Sequence, residues 1–98
     1  NMSIAIGDAF LVKGGCNSHG AGTQLAVVRK ITKQGNVYCF KISKRTASVV
    51  ARNYRLDTNH VIEAVDFNKW IAHQQHPKGA RLVRQLAEIT ENEKQGDT

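Results

Sequence analysis

Apolar and polar positions alternate with a period of two over the first two thirds of the chain, the pattern of β-strands with one buried face. Ile4, Ile6, Phe10 and Val12 predict a first strand over Ile4 to Lys13, bent at Gly7 and Asp8 and ended by Gly14 and Gly15. Leu25 to Ile31 is rich in β-branched residues, Gln34, Gly35 and Asn36 supply turn chemistry, and Val37 to Ile42 follows, so this stretch predicts a hairpin. Within Val37 to Ile42, Tyr38, Phe40 and Ile42 share one face, expected to be the core side, and Val37, Cys39 and Lys41 share the other. Lys41 is then expected on the outer face, with Arg29, Lys30 and Lys33 near it on or just beyond the paired strand.

Residues 46–65 admit two readings. As strands, Val50, Tyr54 and Leu56 alternate with Val49, Ala51 and Arg55, Asp57 to Asn59 makes a turn, and Val61 to Val65 returns. As helices, Ala51 is the small residue of a helix-turn-helix, with Asp57 and Thr58 capping a second helix and Asn59, His60 and Glu63 facing base edges. Strands are preferred, because Ser48, Val49 and Val50 are poor helix formers and the glycine favoured in the turn falls on Arg55.

After Asp66, a candidate N-cap, the period changes. Phe67, Trp70 and Ile71 recur at helical spacing until His76 and Pro77, and a second helix from about Lys78 to Glu93 is expected to gather Leu82, Val83, Leu86 and Ile89 on one face. Its outer face is expected to carry Lys78, Arg81, Gln85 and Glu88. The apolar stripe of this helical pair is expected to dock on the sheet of its own chain rather than on another.

The opening Ile6-Gly7-Asp8, Phe10 and Val12, then a long loop, then Val27, Val28, Lys30 and Ile31, resembles the start of SH3-like and KOW-type barrels over about the first forty residues. The expected fold is α+β: a small bent antiparallel β-meander or SH3-like barrel of about five strands over residues 4–65, followed by a C-terminal helical pair. The alternative is a β-hairpin plus helix-turn-helix. Residues 2–93 are expected to form a single domain, with a β-rich basic part over 2–65, a helical part over 66–93 and a frayed tail over 94–98. Asn1, ahead of Met2, is expected to be a tag remnant.

Charge sharpens this outline. The formal net charge is +6, and it is unevenly placed: residues 1–60 hold nine Lys/Arg against Asp8 and Asp57, giving +7, and residues 61–98 hold five against six acids, giving −1. Arg29, Lys30, Lys33, Lys41, Lys44, Arg45, Arg52 and Arg55 follow one another with no Asp or Glu among them. Such a field attracts a polyanion. Neither a secretory leader nor a membrane span is expected, so the expected location is cytoplasmic.

Other chemistry is weaker. Gly14 to Gly22 is glycine-rich, but no Lys followed by Ser/Thr trails its glycines and a strand is expected next, so a surface loop is expected rather than a phosphate cradle. Cys16 and His19 have ligand-like spacing and His73 and His76 lie three apart, yet a structural zinc site draws on two clear pairs; no metal or cofactor is expected. Cys39 is expected to be a buried strand thiol. Asp8 and Asp57 are too separated in sequence for a two-carboxylate site, and Asp8 suits an Asx-type bond at its bend, so no enzyme is expected.

The expected function is a small nucleic-acid-binding module, for DNA or RNA with weak sequence preference, that grips phosphates through Arg29, Lys30, Lys33, Lys41, Lys44, Arg45, Arg52 and Arg55. Tyr38 and Tyr54 offer stacking faces if exposed. The alternative is an inhibitor or adaptor, of the kind phages and mobile elements encode, that engages an acidic or nucleic-acid-binding protein surface with Phe67 and Trp70 as anchors. A homodimer is compatible with either.

Overall fold

The computed structural model describes residues 3–14 and 22–96, and within them the alternating segments are strands. Strands β1 (Ala9–Lys13), β2 (Thr23–Ile31), β3 (Val37–Ser43), β4 (Ser48–Arg55) and β5 (Val61–Val65) form one antiparallel sheet in the order β4-β3-β2-β1-β5. β4 and β5 are its two edges, so the sheet is not closed into a barrel. A short helix α1 (Phe67–Ala72) and one long helix α2 (Lys78–Gly96) follow, and the architecture is α+β. Among the described residues no helix is long and apolar enough to cross a membrane.

Local chemistry explains the turns. Gly7, at φ +96°, makes the predicted bend, which shortens the first strand to Ala9–Lys13; the Asp8 carboxylate accepts from the Ala5 N–H at 2.9 Å. Gly35, at φ +90°, and the Thr32 hydroxyl, which accepts from the Asn36 N–H at 3.0 Å, close the β2–β3 hairpin. Asp57 caps a 3-10 turn over Thr58–His60 by accepting from the Asn59 N–H at 2.9 Å. The helix-turn-helix alternative therefore does not hold. β-branched residues at 49, 50, 61, 62 and 65 suit the pleat, and pairing with β3 and β1 satisfies the backbone of both segments.

Alternation along the strands feeds two cores. On one face Ala9, Leu25, Val27, Phe40 and Ile42 are buried with Leu82 and Ile89 of α2, and Phe67, Trp70 and Ile71 of α1 pack against them. On the other face Phe10, Val12, Ala26, Val28 and Cys39 are buried, with Tyr54 and Val61 packed beside them. Because Tyr54 and Val61 come from opposite edge strands, the sheet curls toward this second face. Bulges at Leu11/Val12, Val28/Lys30 and Cys39/Lys41 supply the bend.

Phe40 and Ile42 face the helices as expected, but the opposite face is a second core rather than a solvated one. Cys39 is buried there, and Lys41 is half-buried. Val50, placed inside by the alternation, is 54% exposed, because it is the extra residue of a bulge in β4 opposite Lys41 and Ile42 of β3.

The helical pair docks on its own sheet. Asp66 caps α1, accepting from the Lys69 N–H at 3.2 Å. In α2 the inward stripe is Leu82, Leu86 and Ile89, and Val83 lies 49% exposed, since it is turned about 100° from Leu82. Gln85 lies at the margin of that stripe rather than on the outer face: its Oε1 accepts from the Val49 N–H at 3.1 Å, satisfying a donor on the edge strand β4. Lys78 also turns inward, donating to the Arg45 carbonyl at 3.4 Å. The helix continues past the expected end at Glu93 to Gly96.

Candidate nucleic-acid interface

Antiparallel pairing redistributes the cationic run. Lys30 pairs with Tyr38, and Tyr38 pairs with Arg55, so these three residues form a row across β2, β3 and β4 on one face. Lys33 lies in the adjacent β2–β3 turn, and Arg52 lies three residues earlier on β4. Lys30, Lys33, Arg52 and Arg55 are all exposed. Arg55 is steadied by its guanidinium donating to Asn36 Oδ1 at 2.8 Å, a link between β4 and the hairpin turn.

Arg29 is in the same neighbourhood but is committed inward. Its guanidinium carbon stands 4.6 Å from the Phe40 ring centroid, its Nη1 donates to the Arg52 carbonyl at 2.9 Å, and it forms an ion pair with Glu93 of α2. Its side chain is 16% exposed. Burial, and then the Arg52 charge, lower its pKa; a guanidinium stays protonated throughout. Arg29 is the extra residue of the β2 bulge and lies on the helix side, the face that Val27 shares.

The remaining cations lie elsewhere. Lys44 and Arg45 are exposed in the β3–β4 turn, at the other end of β3 from Lys30 and Lys33. Lys41 is on the opposite face, its Nζ 4.5 Å from the Tyr54 ring centroid. Arg29 and Lys41 were expected side by side; odd and even positions of the paired strands instead separate them onto opposite faces. The eight cations thus form one group of five near the β2–β3 turn, one of two at the far turn, and Lys41 alone.

The two tyrosines have different surroundings. Tyr54 packs on the second core, with its ring covered by Lys41, and burial raises its hydroxyl pKa above the ordinary value. Tyr38 is half-buried and belongs to neither core cluster. Beyond Arg55 the surface drops into a cleft of about 480 Å³ lined by Arg55, Leu56, Asp57 and Thr58.

Phe67 and Trp70 stack on each other at 6.1 Å with their planes 13° apart, half-buried against the helix-side core. Burial pushes the Cys39 thiol up to about 11, which keeps it protonated and a poor nucleophile near neutrality. His60 Nε2 lies 3.7 Å from Asp57 Oδ2, and a ring nitrogen of His73 is 2.8 Å from the Lys69 carbonyl oxygen. Cys16 and His19, with most of the glycine-rich loop, lie outside the described residues. Among the described residues no three His, Cys, Asp or Glu side chains come together as a metal site.

The register of Lys30, Tyr38 and Arg55 is the feature that sequence reasoning missed. Its linear signal is the equal distance of residues 30 and 38 from the hairpin turn. The chain matches no protein-family model, no curated protein and no solved structure with which it was compared.

Proposed function

We propose that this protein is a non-enzymatic binding module for nucleic acid that grips phosphates at the β2–β3 end of its sheet. The observation that carries this reading is the row Lys30, Tyr38 and Arg55, extended by Lys33 and Arg52, which concentrates exposed positive charge around one aromatic ring. Asp8 and Asp57 are engaged in turns and the Cys39 thiol is buried, which favours a binding role over a catalytic one. The platform in this reading is the open, curled five-stranded sheet, whose two edge strands share one core.

Arg29 is a structural cation in this reading, and Lys44, Arg45 and Lys41 lie outside the contact. Four phosphate contacts then predict a log–log salt slope of about −3.6 on duplex DNA and about −2.8 on single strands. A titration of labelled DNA and RNA at several salt concentrations tests it. Micromolar or tighter binding at low salt with such a slope is expected; no binding at low salt overturns the reading and turns attention to an acidic protein surface.

A further inference from the structure

Resting on the nucleic-acid reading above, we infer that the ligand is a single strand, with one base stacked on Tyr38 and its flanking phosphates held by Lys30 and Arg55. In a duplex the bases are stacked on one another and offer no open face to an aromatic side chain on the protein surface. A single strand splays its bases and gives each a face to an aromatic platform. Tyr38 is placed for that role: it stands between two cations on adjacent strands, about 5 Å from each at the backbone, and packs in neither core.

The exposed cations Lys30, Lys33, Arg52 and Arg55 cluster at the β2–β3 end of the sheet, around Tyr38. The cleft of about 480 Å³ beyond Arg55 gives the next base a place off the stack. Tyr54 offers no second platform on this face, since it points to the opposite core and Lys41 covers its ring.

The test is fluorescence anisotropy with three labelled probes of equal length: a single-stranded oligonucleotide, its duplex, and an abasic phosphodiester strand. The single strand is expected to bind about tenfold tighter than either of the others, the size of one stacked base. Tyr38→Ala should weaken single-strand binding by roughly 5- to 150-fold with its salt slope unchanged and abasic binding untouched, and Tyr38→Phe should retain affinity. Arg55→Gln should weaken all three probes and make the single-strand slope shallower by about 0.7. Equal binding of the three probes by the unmodified protein refutes the stacked single strand and leaves the nucleic-acid reading standing; no binding of any probe at low salt removes both. Should Tyr38→Ala lose its fold by circular dichroism, the comparison of base-bearing and abasic strands on the unmodified protein decides the matter alone.

Discussion

Replacing Arg29 with alanine should damage stability, because its guanidinium is used inside the molecule. It covers the Phe40 ring at 4.6 Å, donates to the Arg52 carbonyl at 2.9 Å and pairs with Glu93. A partly desolvated cation–π contact is worth about 0.5–2 kcal/mol, and a hydrogen bond from a charged donor about 1.5–3 kcal/mol. The half-exposed ion pair adds about 0.2–1 kcal/mol. These terms share one side chain and do not add fully, so the expected loss for Arg29→Ala is about 2–3 kcal/mol. For a chain of this size that lowers the melting temperature by roughly 8–24 °C. Urea and thermal denaturation followed by circular dichroism measure it, with Glu93→Gln expected to cost under about 1 kcal/mol. An Arg29→Ala protein of unchanged stability that loses only nucleic-acid affinity would refute the assignment of Arg29 to the interior.

Gly79→Ala should destabilise by about 1–3 kcal/mol in the same denaturation assay, because a Cβ there would stand 2.7 Å from the Ile71 carbonyl oxygen and force α1 and α2 apart. On α2, Leu82→Ala should cost about 2–5 kcal/mol, while Val83→Ala, on a half-exposed position, should stay within about 0.5 kcal/mol; equal losses would place the inward stripe elsewhere. In a Cys16→Ser background, Cys39 should react with a thiol reagent at pH 8 only as fast as the protein opens, and prompt labelling of the folded state would show that it is not buried. Burial raises the Cys39 pKa from 9.0 to about 11, so above pH 9 the unfolded chain releases its proton first. That contribution to stability is complete below pH 9 and is lost as pH rises toward 11, which stability measurements across that range and their absence in Cys39→Ala would register.

Candidate residues for the site were legible as types, and their grouping was not. Arg29 to Arg55 is a run of cations in one dimension, but each hairpin reverses the chain and each strand sends alternate residues to opposite faces. Lys44 and Arg45 therefore end far from Lys30 and Lys33, and Lys41 ends behind the sheet on Tyr54. Arg29 is withdrawn by a partner, Glu93, that no local pattern connects to it.

Local chemistry determined the elements. Period two marked the strands, Gly7 and Gly35 marked the bend and the hairpin turn, Asp57 marked the turn before β5, Asp66 marked a cap, and Phe67, Trp70 and Leu82 marked the helical surface that docks on the sheet. These depend on neighbours within a few residues, so a linear reading reaches them. Tertiary structure decided which faces were buried and which cations met. In a sheet curled enough to bury both faces, alternation alone cannot distinguish a solvated Cys39 side from a second core. The strand register that places Tyr38 between Lys30 and Arg55, and the contact of Arg29 with Glu93 of α2, arise from the fit of whole strands and a helix, contacts between residues far apart in sequence whose energies exist only once the sheet is assembled.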